Sequence, residues 1–389
     1  MKRLAVCAIC RNERPYLLEW LAFYRHVGFP EIYVYDNVSD DGTSELLAAL
    51  DDLGEIRRIF WPRRPKVPPQ RDAYNDFLEN HAHRHDYVLV CDLDEFLIVE
   101  PPLDVQGLIA EAEAAFGEVA SIVVPWRMFG SDGAERMVPG LVLERFRRTA
   151  RKVDTTVKTI FNTRHVYSFR THIADSVDGA DVTSAMTPFV RDRDMPIRMD
   201  APRAGKAVMH HYYTKSREEW ARKVQMAKAD RPGDERRRAS AFERTADLPM
   251  VNDAALPHVA PVKAGIARLQ DALDGLARAV APDSIRILRA DPSRLFGTLT
   301  YEGRRPARLP VVRIVAEGCR EYTVAARETR EAGVYLFTLR RKWKRAMRWI
   351  TVSVVGDMAT LHVDLDGVAP LMADEDGRHS LASILRKDG

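Results

Sequence analysis

The stretch "YVLVCDLDEFLIV" (87–99) sets Asp92, Asp94 and Glu95 inside what otherwise reads as one buried strand. Leu89 and Val90 run into the acids, and Phe96, Leu97, Ile98 and Val99 resume the apolar pattern. Burying a carboxylate costs several kcal/mol unless a cation or hydrogen bonds compensate it, so the run demands positive charge. Asp-x-Asp along a strand puts both carboxylates on one face, because side chains alternate with period two. Two carboxylates together repel, and either one protonates or both share a cation. Hard divalent ions, Mn²⁺ or Mg²⁺, meet that demand with oxygen ligands, commonly completed by substrate phosphates. The plain alternative is a solvated strand end with a chance cluster of acids.

Outward from this run the pattern alternates. "LAVCAIC" (4–10) predicts a strand covered on both faces, and the helix after it carries Pro15 in its first turn and closes at Gly28 and Pro30. "EIYVYDN" (31–37) is a second strand, and "SDDGT" (39–43) caps the next helix. "EIRRIFW" (55–61) is a third strand, and "QRDAYNDFLENHAHRH" (70–85) a helix before the acidic run. Strand and helix in strict alternation predict an α/β fold, a mostly parallel sheet flanked by helices. Ligands of such sheets bind beyond the carboxyl ends of the strands. Arg11-Asn12-Glu13, Asp36-Asn37 and Asp92 to Glu95 then share one rim although they are far apart in sequence.

Further on, 104–116 reads as a helix, 120–130 as a strand, 141–148 as a helix and 155–162 as a strand. The stretch 174–205, rich in Asp, Arg, Pro and Gly, reads as an excursion of loops. "KAVMHHYYTKSREEWARKVQMAK" (206–228) runs from a strand into a helix, with Ser216 as cap three residues before Glu219. After about residue 255 the composition changes, with a helix around 263–280 and then short alternating stretches separated by turns. These predict a small all-β module. The expected organisation is a catalytic domain at 1–258, a helical linker at 259–284 and a β-rich accessory domain at 285–389.

A chain of 389 residues exceeds one ordinary core, and 46% hydrophobic with 30% charged residues describes a globular protein. A net charge of +3 gives no footprint for nucleic acid. Basic residues cluster at 145–152, 231–238 and 340–349, the last around Trp343 and Trp349. Such runs read as solvated faces or as contacts for an acidic partner: a diphosphate, an anionic polysaccharide or a membrane surface. No segment is apolar enough to span a bilayer, and Arg11, Glu13 and Arg14 end the first apolar run too early for a signal peptide. The expected location is the cytoplasm, in peripheral contact with the inner membrane face at most. Four cysteines make no disulfide framework, and Cys7 and Cys10, on opposite faces of a strand, read as structural.

"YDNVSDDGT" after the second strand and "CDLDEF" in the acidic run together resemble nucleotide-sugar glycosyltransferases of the GT-A fold, family 2-like and family 92-like. "RNERPYLLEWLAFYRHVGF", "QRDAYNDFL", "PWRMFGS", "VLERFRR", "VKTIF" and "HHYYTKSREEW" add to the likeness in the family's order, over roughly residues 3–255. The resemblance implies a nucleoside-diphosphate donor held by Asn12, Glu13, Asp36 and Asn37 at base and ribose. Gln70, Arg71 and Asn75 would line the same pocket. Asp92 would meet ribose or metal, Asp94 the metal, and Glu95 its neighbours or the donor sugar. His211, rather than His210, fits the family's third metal or diphosphate contact. Lys158 is read as offsetting phosphate charge, while His172 reads as core before site. The strand-end Asp36 suits a uracil edge and so a UDP-sugar.

An inverting transfer needs a carboxylate to take the acceptor's hydroxyl proton. Glu144 is the first choice and Asp175 and Asp132 the reserves, although Glu144 equally suits an ion pair with a neighbouring arginine. No Gln-x-x-Arg-Trp is present, which implies one sugar per encounter, and the Glu-Asp pair used as base by many inverting relatives is also missing. The acceptor implied is a glycan or glycolipid. Phe96 stands where aspartyl phosphatases want Thr or Val, and "CRNERP" lacks the glycines of a nucleotidyltransferase loop. The non-enzyme alternative is an inactive glycan- or membrane-surface-binding protein on a transferase scaffold.

Overall fold

An unbroken apolar run makes β1 (Leu4–Cys10), buried along its whole length. The computed structural model describes residues 1–195, 197–231, 236–237, 240, 242–280, 284–291, 294–301, 306, 310–316, 320–329, 332–340, 349–354 and 361–364. The chain divides into two units, Met1–Asp274 and Gly275–Gly389.

In the first unit β1 is followed by α1 (Arg14–His26), β2 (Glu31–Asp36), α2 (Thr43–Asp52), β3 (Arg57–Phe60), α3 (Pro69–Asn80) and β4 (Tyr87–Val90). Then come β5 (Glu95–Val99), α4 (Val105–Phe116), β6 (Val119–Met128), α5 (Val142–Arg145), β7 (Arg148–Thr149) and β8 (Val157–Asn162). β9 (Val166–Phe169), β10 (Ala174–Ser176), β11 (Ala180–Thr183), β12 (Ala207–His211), α6 (Arg217–Gln225) and β13 (Met250–Val251) follow, and α7 (Leu256–Val280) begins in this unit and runs past its boundary at Asp274.

The main sheet runs β3-β2-β1-β4-β8-β6-β12-β5, with β11 paired to β6. β3, β2, β1 and β4 are parallel, β8 is antiparallel to β4 and β6, and β12 is parallel to β6 but antiparallel to β5. This is the mixed, mostly parallel α/β sheet that the alternation of strand and helix predicts. Cys10 lies opposite Asp36, and Cys7 opposite Val90, so β1, β2 and β4 end on the same rim.

The acidic run is two strands, not one. β4 stops at Val90 and pairs with β8, whereas β5 starts at Glu95 and pairs with β12 at the other edge. Between them Asp92 N–H donates to Glu95 Oε2 at 2.9 Å and Glu95 N–H to the Asp92 carbonyl at 3.1 Å, which closes a turn. The acids therefore converge by turn geometry, and period-two alternation is not the cause. The helix expected over 141–148 is the single turn of α5, after which Phe146 is extended and β7 begins. The stretch 174–205 holds β10, β11 and the bridges Val182 to Pro188 and Arg191 to Met199.

The helix read as a linker is packed. Val262, Leu269 and Leu273 of α7 are buried, and an added Cβ at Gly265 would meet Ala22 Cβ of α1 at 2.9 Å. Cys7, Cys10 and Cys91 are buried free thiols, and burial pushes each thiol pKa up. No helix among the described residues is long and apolar enough to cross a membrane.

The second unit contains β14 (Ser284–Asp291), β15 (Arg294–Thr300), β16 (Val311–Ala316), β17 (Arg320–Ala325), β18 (Arg327–Glu328), β19 (Val334–Arg340), β20 (Trp349–Val354) and β21 (Leu361–Asp364). They form two antiparallel four-stranded sheets, β14-β15-β19-β18 and β17-β16-β20-β21. Leu295, Leu299, Val312, Ile314, Phe337, Ile350 and Val352 build the core, the all-β module read from the alternation. Trp343 and residues 341–348 of the last basic run lie outside the described residues, as does the Trp349 side chain, and so do 232–235 and 238 of the earlier run.

Candidate active site

The turn at 91–94 is positioned by α1. Its buried face presents Trp20, whose Nε1 donates to the Asp92 carbonyl at 3.1 Å, and Tyr24, whose hydroxyl donates to the Glu95 carbonyl at 3.0 Å. Just past the end of β12, Tyr212 N–H donates to the Asp94 carbonyl at 2.9 Å. These three hydrogen bonds fix the backbone of the acids before their side chains act.

The positive charge that the acids demand is built in. Lys158 of β8, fully buried, places Nζ 3.0 Å from Asp92 and 3.2 Å from Glu95. Gln70 Nε2 donates to the other oxygen of Asp92 at 2.6 Å. Lys223 of α6 pairs with Asp94 and also donates to the Tyr213 carbonyl at 2.8 Å, while His211 Nε2 stands 3.5 Å from Asp94. Burial pushes the Asp94 pKa up, but Lys223 and His211 outweigh it and hold the carboxyl well below its ordinary value. Burial likewise works against the Lys158 ammonium, and Asp92 with Glu95 outweighs it, keeping the proton on above the ordinary lysine range. For Glu95 burial wins over Lys158 and the pKa rises to about 8. Near neutrality two carboxylates face two lysines, and Glu95 keeps its proton.

A cavity of about 300 Å³ opens over this turn, walled by Arg11, Glu13, Asn37, Gln70, Asp92, Asp94 and His211 among others. The three polar clusters of the rim do meet there, though not every residue faces the cavity. Asp36 is fully buried. It takes a two-pronged bond from Arg58, at 2.9 and 2.7 Å, and another from the Ser44 hydroxyl at 2.7 Å, so its carboxylate has no oxygen left to read a nucleobase. That corrects the uracil-edge expectation. Asn12 is bound to Asp40, Arg71 is exposed, and Asn75 is tied to the Phe169 backbone, all three outside this cavity wall. Lys158 serves the carboxylates and is sealed from a phosphate.

Neither expected base reaches the cavity. Glu144 accepts from the Leu141 N–H at 3.1 Å and pairs with Lys263 at 2.8 Å, which pulls its pKa down. Asp175 is held by Arg170 and Arg191, each at 3.0 Å, and its pKa is lowered against burial. The reserve Asp132 accepts from the Arg147 and Arg148 N–H groups. His172, read as core, lines the cavity beside Trp126, at 5.2 Å between rings. His210 points the other way, its ring 4.5 Å from that of Phe129, and burial lowers its pKa to about 3.

Sequence reasoning missed Lys223 and Trp126, and it set Arg11 on the rim without giving it a role. One signal was present for Lys223: it falls three residues after Trp220 on a helix that Ser216 and Glu219 cap as expected, and so shares that helix's buried face. Glu13 stands apart from the other acids. Its carboxylate has no hydrogen-bond or ion-pair partner among the described residues, and burial raises its pKa to about 7 against the pull of Lys215.

Asp94, Glu95 and His211 offer ligand atoms within 4.8 Å of one another. Glu95 Oε1 and His211 Nδ1 are buried without a partner among the described residues, the condition expected of groups that await one. A hard divalent cation fits this trio. Asp92, expected among the ligands, is instead committed to Lys158 and Gln70.

Among known proteins, a rice (Oryza sativa subsp. japonica) glycosyltransferase family 92 protein is 30% identical over 95 residues, 24% of this chain and 16% of the relative. A Ricinus communis protein of that family is 24% identical over 135 residues, 34% of this chain and 24% of its own length. The matched stretches thus span less than a quarter of these plant proteins. Of solved structures, S. aureus TarS aligns over 93% of this chain and 77% of its own at 11% identity and a TM-score of 0.32. The TarS 1–349 structure in complex with UDP-GlcNAc aligns over 41% of this chain and 45% of its own, at 17% identity and a TM-score of 0.28. The model of glycosyltransferase family 92 matches residues 2–235. With more than half of its length accounted for by that one model, the chain belongs to glycosyltransferase family 92.

Proposed function

We propose that the chain moves one sugar per encounter from a nucleoside-diphosphate sugar to a hydroxyl of a glycan or glycolipid, with inversion at the anomeric carbon. The observation that carries this reading is the acidic turn with its two lysines and the Asp94–Glu95–His211 trio, opening on one cavity with Asn37, Gln70 and Glu13. Asn37 and Gln70 meet the nucleoside, and Lys223, which also holds Asp94, faces its phosphates from the same wall. A Mn²⁺ or Mg²⁺ ion at the trio would supply charge neutralisation for the departing diphosphate. Glu13 takes the acceptor's proton: a carboxyl with a pKa near 7 is matched to that task at neutral pH.

The test is calorimetry with UDP, GDP and dTDP, with and without Mn²⁺, on the wild type and on Asp94→Ala. Metal-dependent binding of one nucleotide, lost in the variant, supports the transferase and names the donor base. Absence of binding in every arm removes the reading and leaves a glycan- or membrane-surface-binding protein on a transferase scaffold.

A further inference from the structure

A second cavity, about 570 Å³, shares Arg11, Glu13 and Lys223 with the first, but Asp92, Asp94, Gln70 and Asn37 are not on its wall. Its wall comes from the start of α1, from Asp40 and Asp41, and from Thr214, Lys215 and α6. The acids there, Glu13 apart, are engaged. Glu219 takes Arg145 at 2.6 Å and the Tyr16 hydroxyl at 2.7 Å, Asp40 takes the Asn12 amide at 2.7 Å, and Asp41 the Thr43 N–H at 2.9 Å. Two of the cations are engaged as well, Arg222 by Glu218 and Lys223 by Asp94.

Lys215 is different. It is 3% exposed, and among the described residues its ammonium has neither a hydrogen-bond nor an ion-pair partner. The ammonium stands 4.1 Å from the centroid of the Tyr16 ring, a contact that offers no lone pair to its protons. Its backbone has a φ of 54°, in the left-handed region that a branched or long side chain rarely adopts. Arg11 Nε, on the same wall, is also buried without a partner. Burial and then Lys223 work against the ammonium, and Glu13, Asp94 and Glu219 act on it only from beyond ion-pair reach. A buried cation held this way on a strained backbone is a cost that persists where a ligand offsets it. The ligand chemistry is the complement of an ammonium: an oxyanion with several acceptor lone pairs.

We propose that the second cavity is a subsite for an oxyanion carried by the acceptor, a phosphate or a carboxylate, with Lys215 as its anchor, Arg11 beside it and exposed Arg14 at the rim. That the anion arrives on an acceptor rests on the transferase reading; that an oxyanion binds at Lys215 does not. Glu13, on the walls of both cavities, then stands between donor and acceptor.

The experiment is calorimetric titration of inorganic phosphate and, separately, of glucuronate into the protein saturated with UDP and Mg²⁺, with glucose as the neutral control. One oxyanion is expected to bind per chain and glucose not to bind. Lys215→Met is expected to weaken the oxyanion by about tenfold and Lys215→Arg by no more than about threefold, with UDP affinity held within about twofold in both. Arg14→Gln, at an exposed position that does not threaten folding, is expected to weaken the oxyanion about threefold and so decides the matter if Lys215→Met does not fold. Tighter phosphate points to a phosphorylated acceptor and tighter glucuronate to a uronic acid, and either supports the subsite. Failure of both probes to bind, or a roughly tenfold loss of UDP affinity in Lys215→Met, overturns it, the latter by returning Lys215 to the donor. If no nucleotide binds the wild type, the transferase reading fails, and the same titrations on nucleotide-free protein still decide the oxyanion site.

Discussion

Lys158 has no exposed surface, and its two neighbours are carboxyl groups. Lys158→Met removes the cation and leaves Asp92, whose side chain is 31% exposed to the cavity, beside a neutral thioether. Water reaches Asp92 and Glu95 is neutral near pH 7, so the loss falls below that of a sealed ion pair: urea unfolding of this variant should show a destabilisation of about 1–3 kcal/mol. Glu19 gives a pH signature free of the acidic turn. It is buried, it accepts the Val142 and Leu143 N–H groups, and burial raises its pKa from 4.5 to about 7. Below 4.5 it is protonated in both folded and unfolded chains. As pH rises from 4.5 to about 7 only the unfolded chain ionises, so stability contributed by Glu19 is lost across that window, by at most about 1.4 kcal/mol per pH unit. Glu19→Gln should unfold with a flatter dependence on pH between 5 and 7 than the wild type, read by urea midpoints at a series of pH values. The acids at 92–95 were legible from one line of sequence as a demand for charge. Which groups answer it was not, because Lys223 and Asp94 are 129 residues apart and a lysine on a charged helix carries no mark of its burial.

The alternation up to β4 was legible because each strand and helix there is a local pattern, and parallel neighbours follow from short crossovers. Beyond β4 the sheet is assembled from β8, β6, β12 and β5, pairings between distant segments that no local window contains. The break inside 87–99 was hidden for the same reason: both halves are apolar, and only their different partners separate them. Periodicity likewise placed a helix near 263–280, yet its packing on α1 depends on a glycine meeting an alanine. Glycine inside a helix ordinarily costs about 1 kcal/mol against alanine, but at Gly265 a larger side chain drives into Ala22. Gly265→Leu should destabilise by about 1–3 kcal/mol from overpacking, read as a lowered denaturation midpoint.

All residues assigned to the donor and acceptor sites lie within Met1–Asp274, and the two antiparallel sheets have a core of their own. Ligand binding stabilises only the unit that binds it, by about 2.7 kcal/mol at a hundredfold excess over Kd. Scanning calorimetry should therefore show UDP with Mn²⁺ raising the transition of the first unit and leaving that of the second in place, and Asp94→Ala should abolish the rise. The break at Cys91–Asp94 has a consequence for how this chain tolerates change. The turn that joins the two halves of the sheet holds Asp92 and Asp94 of the proposed site and leads straight into Glu95, so drift at any of the three would be punished twice. Trp126, Thr171 and His172 face the same cavity without closing that seam. A library of single variants should show abundance and turnover falling together at the first three positions and coming apart at the last three, and new donor preferences would be inherited through the wall while the turn stays constant.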